Sequence, residues 1–142
     1  MILDSLALFC DQQAVTSTAV STDKMDLSSI RHVGTGESME VYILVEEAAT
    51  AAGAATVDFQ FVVDDNATLS SPAIAISSGA IAKATLVIGF EIRLRIPTVD
   101  FERFCGMNFV VATGPLTAGK FTAGIVLTSG KQRNYASGFS VS

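Results

Sequence analysis

The segment Gly89–Pro97 constrains the fold more than any other stretch, because its apolar and charged side chains alternate. A period of two residues is typical of a β-strand with one buried and one solvated face. Gly89 and Pro97 punctuate its ends. We therefore predict a central strand here, packed on an apolar layer that the rest of the chain must supply. The apolar residues are Phe90, Ile92, Leu94 and Ile96, and the charged ones are Glu91, Arg93 and Arg95.

Other short segments are rich in apolar and β-branched residues, which favour strands. Met39–Val45 is apolar on both sides from Val41 onwards, which predicts a strand covered on both faces. Glu46–Ala55 is Ala-rich, and we expect a loop because Gly53 and β-branched residues follow. Gly79 is expected to end the strand that begins at Ala73. The predicted strands are Gln13–Ser21, Met25–Leu27, Met39–Val45, Thr56–Val63, Ala73–Ser77, Phe104–Ala112 and Phe121–Thr128, with polar turns at Arg31–Gly36, Asp64–Pro72 and Thr113–Gly119.

About eight short, turn-separated strands with almost no helix indicate an all-β sandwich or barrel. Within that class we favour a jelly roll. A chain of 142 residues fits one domain. We expect a single β domain over 1–142, with an N-terminal arm at 1–12, a β core at 13–129 and a C-terminal tail at 130–142. The opening segment Ile2–Phe9 is expected as an arm or a single short helix, whose apolar groups could pack on the chain's own sheet or on a neighbouring subunit.

The composition points to an assembly. Apolar residues make up 49% of the chain and charged residues only 16%, against a usual charged share of about 25%. We expect a homo-oligomer or a subunit docked on a large partner; the alternative is a packed β domain with a Ser/Thr-rich surface. The net charge of −5 and the lack of a basic cluster argue against nucleic acid and anionic membranes as partners. No secretion signal is recognisable.

Residues with catalytic or ligand-binding chemistry are few and isolated. His32 is the sole histidine and has no nucleophile motif around it. Cys10 and Cys105 lack zinc-site spacing, and two buried thiols are favoured over a disulfide. Asp64-Asp65-Asn66 could offer oxygen ligands to calcium, but without the EF-hand pattern a turn is the better interpretation. We therefore predict no catalytic residue, no cofactor and no metal, and hence no enzyme.

The chain resembles the Bbp16-type capsid cement (decoration) proteins of tailed bacteriophages. The resemblance rests on the order of short segments spread over about residues 1–128, and no correspondence extends into Lys131–Ser142. These segments are Met1-Ile2-Leu3-Asp4, Gln13-Ala14-Val15-Thr16, Asp26-Leu27, Gly36-Glu37, Thr50–Thr56, Asp64-Asp65-Asn66, Ser70-Ser71-Pro72 and Thr113-Gly114-Pro115-Leu116-Thr117-Ala118-Gly119.

This resemblance implies a jelly-roll protein that clamps adjacent major capsid protein subunits on the outer surface of a mature head. It also implies a homo-oligomer, with a dimer favoured and a trimer as the alternative. On this hypothesis the terminal segments make the contacts. The candidate interface residues are Ile2, Leu3, Leu6, Phe9, Arg133, Tyr135 and Phe139.

Two other functions compete with this one. A β-sandwich carbohydrate- or receptor-binding module is the second hypothesis, weakened because sugar sites usually show exposed aromatic rings and the chain has no Trp and two Tyr. A small hydrolase is the third, and it would have to use His32.

Overall fold

The regular structure of the described residues consists of eleven strands and one short helix. The structure is a computed structural model that describes residues 5–28, 31–33, 39–97 and 99–127. A 3₁₀ helix, η1, spans Ser5–Ala7. The strands are β1 Leu8–Ala14, β2 Ala19–Val20, β3 Met25–Asp26, β4 Arg31–Val33, β5 Met39–Thr50, β6 Thr56–Asp64, β7 Ala73–Ala82, β8 Glu91–Arg95, β9 Val99–Phe101, β10 Phe104–Ala112 and β11 Ala118–Leu127.

Most of these strands form two antiparallel sheets. Sheet 1 has the order β1-β11-β5-β8, and sheet 2 has the order β2-β10-β6-β7, with β3 also paired to β10. The strands β4 and β9 form a separate two-stranded ribbon. The prediction of an all-β sandwich is confirmed. Successive strands pass repeatedly between the two sheets, and the jelly roll stays a prediction.

Phenylalanine rings join the two sheets. Phe59 of sheet 2 meets Phe121 of sheet 1 edge-on at 5.1 Å between ring centroids, and it meets Phe109 at 5.8 Å. Phe9 of sheet 1 packs on Phe61 of sheet 2 at 5.8 Å. These five rings are at most 1% exposed. Edge-to-face contacts at such distances are favourable beyond the area that they bury.

Within the segment predicted as an arm or a short helix, Ser5–Ala7 form η1, and from Leu8 onwards the chain forms β1 of sheet 1. β1 pairs with β11, with Leu8 opposite Gly124. A Cβ atom on Gly124 would lie 2.9 Å from Leu8 Cδ2 and 3.0 Å from the carbonyl oxygen of Ala7. Glycine is therefore required for the start of the chain to lie this close to β11.

Several strand predictions differ from the structure. Gln13–Ser21 was expected as one strand, but β1 ends at Ala14 and β2 covers only Ala19–Val20. Glu46–Ala55 was expected as a loop, but β5 continues to Thr50 because β11 supplies partners, among them Lys120 opposite Glu47. Gly79 does not end β7; it adopts a φ of 74° at a bulge between the pairs Asp58–Ala80 and Gln60–Ser77, a conformation that suits glycine. The polar turn expected at Arg31–Gly36 begins with β4.

The alternating segment Gly89–Pro97 is a strand, but it lies at the edge of sheet 1 and not at its centre. Its burial follows the predicted period, with Ile92 at 9% and Ile96 at 4% exposure while Glu91, Arg93 and Arg95 are exposed. The centre of sheet 1 is β11 and β5, and Val41, Tyr42 and Ile43 of β5 are covered on both faces, as predicted.

We expect the substitution Phe59→Ala to lower the free energy of unfolding by about 3–5 kcal/mol, because it removes contacts to both sheets and leaves a cavity. Urea denaturation followed by circular dichroism measures this. Ile88→Ala is the control, since Ile88 is 71% exposed, and its effect should stay within about 0.5 kcal/mol. A small loss for Phe59→Ala would contradict the assignment of this ring to the shared core.

Candidate interaction surface

Among the described residues, sheets 1 and 2 have four edges, and three of them carry features that discourage further strand pairing. Sheet 1 ends in β8, whose exposed Glu91, Arg93 and Arg95 place charge on the edge, and in β1, which is interrupted by two register shifts and bears the exposed Asp11. One edge of sheet 2 is β2, which has only two residues. Short, charged or irregular edge strands are the usual protection against pairing with another chain.

The fourth edge, β7, is long and uncharged. It has ten residues, Ala73–Ala82, and contains no charged residue and no proline. Its one neighbour in the sheet, among the described residues, is β6. Most of its residues are exposed, and Ile74 is 56% exposed. Like β1, it is interrupted by two register shifts, so its lack of charge is what distinguishes this long edge from β1 and β8.

The two ends of β7 differ in charge. Lys83 follows its last residue and donates a hydrogen bond from Nζ to the carbonyl oxygen of Ala51. Carboxylate oxygens of Asp64, Asp65 and Glu102 lie within 4.8 Å of one another. This cluster is at the other end of β7, because Val63, next to Asp64, is opposite Ala73. The uncharged edge is therefore flanked by a cation at one end and carboxylates at the other.

Asp64 stabilises the turn that precedes β7. Its carboxylate accepts backbone hydrogen bonds from Ser71 at 3.0 Å and Asn66 at 3.2 Å. These N–H groups, led by that of Ser71, lower the pKa of Asp64. Asn66 in turn accepts hydrogen bonds from the amide and hydroxyl of Thr68. This bonding supports the predicted turn, and it explains the position of the Asp64 carboxylate without an ion.

A second exposed apolar surface lies in the connection between β7 and β8. Val87 is 53% and Ile88 is 71% exposed. The flanking backbone is held to β5, because Ala49 donates to the carbonyl of Leu86 at 2.9 Å and Gly89 donates to that of Val45 at 2.9 Å. The two side chains are thus presented on an anchored turn.

The outward face of sheet 1 carries a polar cluster around Arg93. Its guanidinium lies 5.4 Å from the ring centre of Tyr42 and 3.9 Å from carboxylate oxygens of Glu40 and Glu91. Burial and a hydrogen bond to Glu91 raise the pKa of Tyr42 to about 12. Glu40 Oε2 is buried without a hydrogen bond. Its ion pair with Arg93 is therefore the main interaction that offsets the cost of removing this oxygen from water.

The cysteines are free and buried, as predicted. Burial raises the pKa of both the Cys10 and the Cys105 thiol to about 12. A thiol needs to ionise to act as a nucleophile or metal ligand, so neither side chain is suited to that chemistry. His32 lies in β4 opposite Asp100 in β9; its side chain is outside the described part of the structure.

The predicted contact residues divide into three groups. Leu6 in η1 is 87% exposed, and its role as a contact residue stays a prediction. Phe9 is corrected: at 1% exposure it packs in the chain's own core, so we do not retain it as a contact residue. Ile2, Leu3, Arg133, Tyr135 and Phe139 lie outside the described residues. No helix within the described ranges is long and apolar enough to cross a membrane.

Residues 9–125 match the model of the Bbp16 family. The chain belongs to the Bbp16 family. This family is associated with bacteriophages, which supports a phage-associated structural protein. A comparison with curated proteins found no match. The matched range spans β1 to most of β11 and therefore covers both sheets.

The β7 edge of this Bbp16 protein was not among the predicted contacts, although the sequence contains a signal for it. Between Asp65 and Glu91 the single charged residue is Lys83. An uncharged segment of this length in a β protein is consistent with either a buried strand or an exposed strand at the edge of a sheet. Only the strand order separates the two, because it places β7 at the end of sheet 2.

We expect both native thiols to react slowly with a disulfide reagent at pH 8. Their thiolate fraction is about a thousandfold below that of a thiol with a pKa of 9.0. Each thiol ionises more easily in the unfolded chain, so the free energy of unfolding should fall as the pH rises above about 9. Labelling rates measured with and without urea test this, and fast labelling of the folded chain would contradict the buried positions.

Proposed function

We propose that this protein is a cement protein of a tailed-phage virion. It binds the outer surface of the head, bridges major capsid protein subunits and stabilises the expanded shell without catalysing a reaction. The match of residues 9–125 to a phage-associated family carries this proposal. The β-sandwich agrees with it, because such folds serve as rigid modules that present their surface to a partner.

The surface chemistry supports a permanently docked subunit. The 16% share of charged residues is low, and the chain exposes Leu6, Val87 and Ile88 in addition to the apolar edge β7. Interface centres are depleted in charge and enriched in apolar groups. The net charge of −5 suits a shell component that does not touch packaged nucleic acid.

The mechanism follows from linkage. A protein that binds the expanded shell but not its precursor stabilises the expanded form by about 2.7 kcal/mol per site when its free concentration is 100 times Kd. Repeated copies on a symmetric shell add avidity. Its partners in this proposal are the major capsid protein and further copies of itself, with a dimer favoured over a trimer.

A glycan- or receptor-binding module is the weaker candidate. Sugar binding commonly uses an exposed aromatic face, and Tyr42 is only 3% exposed. Tyr135, the other tyrosine, lies outside the described residues.

Co-sedimentation of the purified protein with capsid shells, before and after expansion, tests the proposal. We expect saturable binding to expanded shells alone and a higher Tm for the decorated shell. No binding to either form would refute a cement function, and a glycan array would then test the weaker candidate.

The contribution of the N-terminal contact can be tested with Leu6→Asp. A charge at this exposed position should lower shell occupancy because it must be desolvated against the capsid. Ser17→Asp is the matched control, since Ser17 is exposed in the connection between β1 and β2. A variant that lacks residues 130–142 tests the tail in the same assay. Occupancy equal to wild type in Leu6→Asp would remove Leu6 from the interface.

A further inference from the structure

The outward face of sheet 1 is buried almost as deeply as the core. Tyr42 is 3%, Val126 is 7% and Glu40 is 8% exposed. These residues alternate along their strands with side chains that pack in or against the core, so they point away from it. The outward face of an antiparallel sheet is usually solvated, and on sheet 2 Gln60 and Asn108 are only half-buried. The burial on sheet 1 therefore requires a covering group.

Described residues supply part of this cover. η1 and the start of β1 lie against Gly124, and the guanidinium of Arg93 lies 5.4 Å from the ring centre of Tyr42. Gly124 is opposite Tyr42, and the next outward pair along the same two strands is Val126 and Glu40. Neither of these contacts accounts for the burial of Val126. The missing cover therefore lies over this end of β11 and β5.

The carboxylate of Glu40 lacks a donor at the same place. Among the described residues its buried Oε2 has no hydrogen-bond partner, and Arg93 Nη1 lies 3.9 Å away, beyond hydrogen-bonding distance. By contrast, Glu46, further along β5, accepts a hydrogen bond from the Thr122 hydroxyl at 3.2 Å. A buried charged acceptor without a donor is costly. The group that covers Val126 and Glu40 should therefore carry a cation that can donate.

The chain leaves sheet 1 next to this position. β11 ends at Leu127, which is opposite Met39 and directly follows Val126. Two residues then join β11 to the C-terminal tail, 130–142. A segment tethered so closely has an effective concentration of about millimolar at a neighbouring surface. Weak contacts are therefore enough to hold it there.

The composition of the tail complements the face. Its charged residues are Lys131 and Arg133, both cations, and either side chain can donate to a carboxylate. Arginine suits a buried carboxylate best, because its planar guanidinium donates two parallel hydrogen bonds. Tyr135 and Phe139 supply apolar surface. The tail therefore offers both the donor and the apolar cover that this end of sheet 1 requires.

Two other segments outside the described residues adjoin elements of sheet 1, but their charge has the wrong sign. Residues 1–4 precede η1, and residues 34–38 precede β5. The charged side chains in them are Asp4 and Glu37, carboxylates that would repel Glu40. Neither segment has a Lys or Arg side chain that could donate.

We propose that the tail 130–142 folds back over the outward face of sheet 1 in its own chain, where Arg133 donates to Glu40 and the rings of Tyr135 and Phe139 cover Val126. Such docking occurs with or without a capsid, so it goes beyond the proposed function and does not rest on it. It assigns the three tail residues to contacts within the chain rather than with capsid subunits.

Limited proteolysis of the full chain tests the ion pair. Trypsin cleaves after Lys and Arg, so a docked tail should be cut slowly after Lys131 and Arg133. Glu40→Gln removes the charge and should accelerate this cleavage by about tenfold, the factor expected for one hydrogen bond to a charged group. Glu47→Gln is the matched control, since Glu47 lies on the same strand but is paired with Lys120 at 3.4 Å. It should leave the rate unchanged, and circular dichroism verifies that both variants are folded.

A double variant separates the pair from a general loosening of sheet 1. In the Arg133→Gln background, Glu40→Gln should have little further effect on cleavage after Lys131, because the interaction is already lost. An undiminished acceleration in that background would show that Glu40 does not act through Arg133.

A spin label measures where the tail lies. The native cysteines are buried, so the label attaches at Ser140→Cys. We expect it to broaden the amide resonance of Val126 more than that of Asn108, on the outward face of sheet 2. Ser17→Cys is the control, because Ser17 is exposed and β1 ends beside Lys120, at the far end of β11 from Val126. A label there should leave Val126 sharp.

Mixing spin-labelled chains with isotope-enriched chains separates the alternatives. Broadening of Val126 that requires both labels on one chain supports the docking. Broadening that persists in the mixture shows that the tail docks on another copy, and it overturns the proposal. A sharp Val126 resonance, or equal cleavage of wild type and Glu40→Gln, also overturns it and assigns the cover to another segment or a partner. Each measurement uses the free protein, so failure to bind capsid shells would refute the cement function and leave this result unaffected.

Discussion

The contact between the phenylalanine rings of the two sheets is the interaction on which the rest of the structure depends. The ring of Phe121 in sheet 1 packs on that of Phe59 in sheet 2. A second pair, Phe9 in β1 and Phe61 in β6, also joins the two sheets. Without a partner sheet each of these rings would be exposed on a flat surface. The burial of the inner faces of both sheets follows from this packing.

The sequence predicts the class of fold well because alternation is a local property. Thr56–Val63 has its four core side chains in phase, and β6 is found there with Val57, Phe59 and Phe61 fully buried. Prediction fails where a distant partner decides the conformation. Glu46–Thr50 looks like a loop, yet its pairing with β11 makes it a strand. Likewise, Leu8–Ala14 is a strand because β11 lies beside it.

The interaction surface shows the same limit. An apolar, uncharged segment such as Ala73–Ala82 has the same sequence pattern whether it lies in the middle of a sheet or at its edge. Its position is set by which strands flank it, and that depends on the whole topology. For Glu91–Arg95 the error was the opposite one. Its alternation led to the prediction of a central strand, whereas its exposed charges are typical of an edge strand. Charge on β8 and its lack on β7 distinguish two neighbouring edges of the sandwich.

The pairing of β1 with β11 has a consequence for how the protein is made. The Cys10 thiol donates to the carbonyl oxygen of Phe121, a contact across 111 residues of sequence. Sheet 1 is therefore incomplete until the C-terminal part of the chain has left the ribosome. Closing so long a loop is slow, and β1 lacks this partner, with Phe9 uncovered, until β11 has been synthesised. A nascent chain is thus exposed to premature association until β11 emerges.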